Sequence, residues 1–159
     1  MPVAAVAMDL RAAVQAELDA LQVAYPAHAL RLTVWGSTLG HWDELRLRQA
    51  VGNLVGNALQ HGGRDSPVEV TLDGTKADEL VLTVANEGRP IPPVLAERIF
   101  EPLTQGAASP GGADSVNNHL GLGLYIVRQI VQAHQGTVAV ASPSDGKIVF
   151  TVTLPRETA

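Results

Sequence analysis

A chain of 159 residues, 46% apolar and 17% charged, is a globular mixture of single-domain size, which excludes a wholly disordered or collagen-like polymer. With no Cys it can hold neither a disulfide framework nor a thiolate metal site, a composition compatible with a reducing cytoplasm. A net charge of −5 with only two Lys, Lys76 and Lys147, argues against a nucleic-acid or anionic-membrane footprint, and the apolar opening Met1 to Ala7 lacks a basic start and falls far short of the ~20 residues of a spanning helix, so a soluble fragment is expected.

Asp9 caps a helix that runs to about Tyr25, with Leu10, Val14, Leu18 and Leu21 recurring at helical spacing before Pro26 stops it. Ala29 to Trp35 alternates as a strand does, and Gly36 to Gly40 follows as a turn-rich break. A second helix, capped by Asp43, runs to His61; Leu47, Val51, Leu54, Val55 and Ala58 build its apolar stripe, and Gly62-Gly63 ends it. Strands follow at Val68 to Leu72 and Leu80 to Ala85, joined in hairpin fashion through Asp73-Gly74. Asn86 to Pro93 is turn-rich, Leu95 to Phe100 reads as a short helix, and Thr104 to Asn118, almost without apolar residues, reads as a mobile loop.

Gly123, Ile126, Val127, Ile130, Val131 and His134 then repeat at helical spacing, Gly136 stops that helix, and Thr137 to Ala141 and Ile148 to Leu154 close the chain as strands. The order α-β-α-β-β-α-α-β-β predicts an α+β fold: a two-layer sandwich in which a mixed sheet of about five strands carries about three main helices on one face. A single domain is expected over residues 1–159, with its core at about 9–156.

Three segments carry chemistry. In Asn53-Leu-Val-Gly-Asn57-Ala-Leu-Gln60-His61 the two Asn stand four apart and neighbour each other on one helical face, with Arg46, Gln49 and Gln60 in the same polar stripe. The plain reading is a solvated face, but Asn53, Asn57, Gly52 and Gly56 each forgo roughly 0.5–1 kcal/mol of helix propensity against Ala, a cost that Glu or Lys would avoid. A ligand accounts for them: an Asn carbonyl is a hard oxygen for Mg²⁺, and its neutral amide does not repel a polyphosphate. Asn86-Glu-Gly88-Arg-Pro90-Ile91-Pro92 follows a strand, where a side-chain amide and a Gly can meet a flat ligand; alone, it is a turn. Gly121-Leu-Gly123-Leu at the expected start of a helix offers backbone N–H groups to a phosphate.

Together and in this order the segments resemble the N, G1, F and G2 boxes of the nucleotide-binding Bergerat fold shared by histidine kinases, gyrase-type ATPases, Hsp90 and mismatch-repair ATPases. The resemblance spans about Leu10 to Arg156 and includes Arg46-Leu-Arg-Gln49, Ile99-Phe100-Glu101-Pro102 as the F box, and Tyr125 to Gly136; it is histidine-kinase-like throughout. The Asn-x-Gly-x-Pro-Ile-Pro and Leu-Gly-Leu-Gly-Leu-Tyr-Ile-Val forms look like those of bacteriophytochrome-type kinases.

The resemblance implies an ATP-binding domain that uses Mg²⁺ and passes the γ-phosphoryl to a His on a separate dimerisation domain absent from this chain, with a response regulator as downstream partner in a cytoplasmic two-component system. It implies Asn57 as metal ligand and Asn53 and Asn57 as the catalytic pair. The implied nucleotide contacts are these two with Gln60, His61, Asn86, Gly88, Ile91, Phe100, His119, Leu120, Gly121, Leu122, Gly123 and Leu124. Gyrase-like hydrolases carry a water-activating Glu where this chain has Asn53, so transfer to a side chain is favoured over hydrolysis.

The chain departs from the family in five places. Asn86 replaces the adenine-reading Asp, and its carbonyl still accepts. Pro90 and His119 replace glycines, Gln60 replaces a frequently basic neighbour, and the lid segment Thr104 to Asn118 holds no Lys or Arg. These changes motivate one alternative, a degenerate nucleotide-sensing scaffold; a second is an anti-sigma-type serine kinase of the same fold. His61, His119 and His134 lack the acidic helical context of a phosphoacceptor, and Trp35 and Trp42 are expected to pack.

Overall fold

The computed structural model describes residues 2–62, 65–88, 90–102, 113–142 and 146–157. In chain order they form β1 (Val6–Asp9), α1 (Leu10–Ala24), β2 (Leu30–Gly36), β3 (Leu39–Trp42), α2 (Glu44–His61), β4 (Val68–Gly74), β5 (Glu79–Glu87), α3 (Pro93–Arg98), α4 (Ala113–Ala133), β6 (Thr137–Ala141) and β7 (Lys147–Pro155). Five strands make one mixed sheet in the order β2-β4-β5-β7-β6, with β2 parallel to β4 and the other pairs antiparallel. The expected α+β sandwich is the fold observed.

Alternation puts Val68, Val70 and Leu72 of β4, Leu80, Leu82 and Val84 of β5, and Ile148, Phe150, Val152 and Leu154 of β7 on one buried face. Helices α1, α2 and α4 cover it with Leu10, Val14, Leu18, Leu47, Leu54, Val55, Val127 and Val131, and each fully buried side chain of this kind contributes about 1.5–3 kcal/mol. The opposite face carries a row of hydroxyls: Thr33, Thr71, Thr83 and Thr151 stand level on β2, β4, β5 and β7. Thr71 and Thr83 hydrogen-bond across it.

The structure corrects the sequence reading in several places. β1 and β3 form a separate two-stranded antiparallel sheet, so the break at Gly36 to Gly40 ends in a strand. Both strands are four residues long and largely exposed, so alternation cannot reveal them. α3 starts two residues earlier than expected, at Pro93, a residue whose fixed φ suits a first helical turn. α4 starts at Ala113, so the expected loop is helical over 113–118, because extending an established helix costs far less than nucleating one; its residues 104–112 lie outside the described ones. Trp42 is fully buried as expected, whereas Trp35 is 53% exposed on β2.

Tertiary bonds set the small sheet. Trp42 donates Nε1–H to the Pro155 carbonyl at 2.8 Å, and a Cβ at Gly40 would fall 2.2 Å from its ring, so only glycine lets the indole fold back there. Arg156 spends all five of its N–H donors on carbonyls of the two turns beside it: Nε on Lys76, Nη1 on Ser37 and Leu39, Nη2 on Gly74 and Lys76, at 2.7–3.2 Å. Gly36, at φ 72, crosses Gly74 too closely for any side chain.

Two bonds fix α2 against α4. At one end the backbone N–H of Asp43 donates to Nε2 of His134 at 3.0 Å, while Nδ1 of that ring bonds the Ile130 carbonyl at 2.8 Å; His134 is fully buried. About three turns along, Asn53 Nδ2 donates to the Gly123 carbonyl at 3.2 Å, so the helices run antiparallel. Asp43 also caps α2: burial pushes its carboxyl up, yet the N–H groups of Ala4 and Arg46 and the Arg46 guanidinium hold it below the usual carboxylate range. α4 ends on Gln135 at φ 62 rather than on Gly136, which is glycine because a Cβ would strike the Thr153 carbonyl at 2.3 Å.

Replacing His134 with Leu, of similar bulk, leaves the Asp43 N–H without an acceptor. The expected result is a loss of about 1–3 kcal/mol of unfolding stability, read as a lower urea midpoint at an unchanged m-value.

Candidate functional site

Asn53, Gly56, Asn57 and Gln60 fall within an arc of about 100° on α2. That arc is not a solvated face. Asn57 is 8% exposed and its amide, two donors and an acceptor, bonds to none of the described residues. Asn53 is half-buried and tied to Gly123 of α4. Gln60 and His61 are exposed on the last turn, and partial loss of hydration beside neighbouring groups holds the His61 imidazole below its ordinary value.

Gly56 and Gly123 border the same region without a packing reason to be glycine. Among the described residues a Cβ at Gly56 would meet nothing within 4 Å, and the atoms nearest one at Gly123 would be those of Asn53, at an ordinary 3.7 Å. Open space beside a buried amide that bonds to none of the described residues is what a ligand fills. Among the described residues no group of three or more His, Cys, Asp or Glu is placed to hold a metal. A cation here would take a neutral Asn carbonyl together with oxygens of the ligand itself, which fits Mg²⁺ on a polyphosphate.

Beyond the C-terminal end of α2, the end of β5 brings in Asn86, 5% exposed. Its Nδ2 donates to the Glu87 carbonyl at 3.0 Å, and its carbonyl oxygen accepts from none of the described residues. Gly88 donates its N–H to the Gly146 carbonyl at 3.1 Å, and a Cβ there would fall 2.8 Å from the Ile148 side chain. Ile91 is half-buried against the core, its N–H held by Ser142 Oγ at 2.8 Å.

The remaining expected contacts divide. Phe100 turns inward, edge to face on Phe150 at 6.0 Å, and Leu124 is 2% exposed in the core, so both support the site from beneath. Leu122 is 49% exposed. His119, Leu120 and Gly121 lie within α4, but their side chains are outside the described set. Gly121 and Gly123 were expected at a helix start; with α4 beginning at Ala113 they sit well inside it, where the N–H groups belong to the helix ladder rather than to an anion. Sequence reasoning missed Gly62 and Ser142, whose roles come from space and a long-range bond with no local pattern.

A protein-family model described as histidine kinase-, DNA gyrase B- and HSP90-like ATPase matches residues 42–158. Similar curated proteins include the bacteriophytochrome of Pseudomonas aeruginosa, 35% identical over 84% of this chain and 18% of that protein, and the probable sensor histidine kinase TcrY of Mycobacterium tuberculosis, 38% identical over 72% and 23%. The chain thus spans about a fifth of the length of these relatives. Among solved structures, the catalytic domain of histidine kinase ThkA superimposes with a TM-score of 0.78 at 23% identity, covering 96% of this chain and 98% of that one, which shows the shared fold.

Gly56 provides a check that needs no relative. Ala at this position fills open space and gains helix propensity, so Gly56→Ala is expected to raise the stability of the unliganded protein by about 0.5–1 kcal/mol, measured by urea unfolding. A loss of stability would mean that the space is already used by the fold.

Proposed function

The chain belongs to the family of histidine kinase-, DNA gyrase B- and HSP90-like ATPases, and from that membership we propose that it is, as one domain over its whole length, the ATP-binding catalytic domain of a sensor histidine kinase. In this reading it acts in the cytoplasm and transfers the γ-phosphoryl of ATP to a His on its own dimerisation domain, from which a response regulator is served. The observation that carries the reading is Asn57, a buried amide that bonds to none of the described residues, on the helical face that also bears Asn53 and Gly56.

Asn57 is the residue to hold Mg²⁺ through its carbonyl, and bound Mg²⁺ supplies charge neutralisation at the phosphates. Asn53, already engaged with the Gly123 carbonyl, keeps α2 and α4 at the spacing that the triphosphate occupies. No carboxylate stands at position 53 to take a proton from water, so the site positions a phosphoryl group for a side-chain acceptor rather than for hydrolysis. Asn86 offers its carbonyl to the base at the far end of α2, and the neighbouring Ile91 supplies apolar surface. In-line transfer asks for positioning and charge compensation more than for covalent chemistry by the protein.

Calorimetric titration of this chain with ATP is expected to show binding that depends on Mg²⁺, weakened at least about tenfold in Asn57→Ala. Adding the dimerisation domain of the same protein is expected to yield acid-labile phosphohistidine on that domain, with little ATP turnover in its absence. Absence of binding at millimolar nucleotide would overturn the reading.

A further inference from the structure

We infer that Gly62 is a positioning residue for base recognition: it leaves the room that holds the Asn86 amide in the orientation that reads a 6-amino purine. This rests on the nucleotide-site reading above and adds to it a positioning residue.

Gly62 caps the C-terminus of α2 at φ −78 and ψ 170, an extended conformation open to any L-residue, so backbone freedom is not why glycine stands there. Space is the reason. A Cβ at Gly62 would fall 2.6 Å from Asn86 Nδ2 and 3.3 Å from its Cγ, closer than real side chains approach. A Cβ at Gly88 would stand 3.6 Å from the same nitrogen, an ordinary contact. The amide nitrogen therefore lies in a slot that Gly62 leaves open at the helix end, near a second glycine that follows β5.

Within that slot the amide has one satisfied orientation. Nδ2 donates to the Glu87 carbonyl at 3.0 Å. Turned over, the Asn86 carbonyl would face the Glu87 carbonyl, acceptor against acceptor. The carbonyl oxygen of a side chain only 5% exposed is thus the group left for a ligand. A fixed acceptor welcomes the exocyclic NH₂ of adenine and opposes the 6-oxo group of hypoxanthine, because a buried acceptor facing another acceptor leaves both without a donor. The same Cβ would fall 2.6 Å from the Ala58 carbonyl oxygen, so a substitution at Gly62 touches the helix end as well as Asn86. The test separates the two.

ATP and ITP carry the same triphosphate and differ at position 6, so the ratio of their affinities isolates base reading. Affinities would be measured by calorimetry with Mg²⁺ for the unaltered protein, Gly62→Ala, Asn86→Ala and the double variant, with circular dichroism as a check on folding. ATP is expected to bind the unaltered protein roughly tenfold tighter than ITP. Gly62→Ala is expected to bring that ratio near one, chiefly by weakening ATP, and to change it no further in the Asn86→Ala background. An unchanged ratio in Gly62→Ala, even with weaker binding overall, assigns the glycine to the helix end and overturns the inference. So does an equal shift in the Asn86→Ala background. If the unaltered protein binds both nucleotides equally, the inference falls and the kinase reading stands; if it binds neither, both fall. Should Gly62→Ala not fold, the Asn86 side-chain NH₂ signals of the unaltered protein decide: a resolved pair slow to exchange with solvent is expected, and a freely exchanging pair overturns the inference.

Discussion

The spacing between α2 and α4 is the constraint on which the rest depends. α2 buries side chains toward the sheet and toward α4, so its polar residues cannot all reach water. Two bonds hold the helices at the distance where this is tolerable: the Asp43 N–H to His134 at one end and Asn53 to the Gly123 carbonyl three turns along. Near these points Gly56 and Gly123 leave space rather than fill it. Wider packing would break the bond that orders Asn53. A helix that carries both core and site has little freedom to exchange one for the other.

Much of the fold was legible because its elements are strongly periodic. The stripe Leu47, Val51, Leu54, Val55, Ala58 fixed α2, and alternation marked β4, β5 and β7, whose buried faces contain no polar interruption before Asn86. β1 and β3 left no such trace: they are short and mostly exposed, and their pairing hangs on Trp42 reaching Pro155, a contact that no local window contains. Trp35 was misjudged for the complementary reason, since a large apolar residue signals burial only if another layer covers it, and its side of β2 faces solvent. α4 was read too short because polar composition argues against starting a helix, not against lengthening one.

The site was legible to the extent that propensity was violated. Two Asn and two Gly inside α2 make little sense for a helix alone, and Asn57 and Gly56 do sit where the fold leaves room. Phe100 and Leu124 came with the same motifs but prove to be core residues, since a motif records both what touches a ligand and what props up the wall behind it. Gly62 escaped notice because it looked like an ordinary helix terminator; its distance from Asn86, 24 residues along the chain, appears only when the strand is laid beside the helix.

Arg156 ties carbonyls that stand up to 119 residues earlier in the chain, and Trp42 waits on a carbonyl 113 residues away. During synthesis at roughly 5–20 residues per second, the segment from Gly36 to Trp42 therefore waits while the residues that separate it from its partners are added. The turns at Ser37 and Gly74 stay open and the indole unsatisfied until β7 and Arg156 emerge. A fold that closes its early turns on such distant residues is slow to complete, and it gives a nascent polypeptide an interval in which chaperone contact matters.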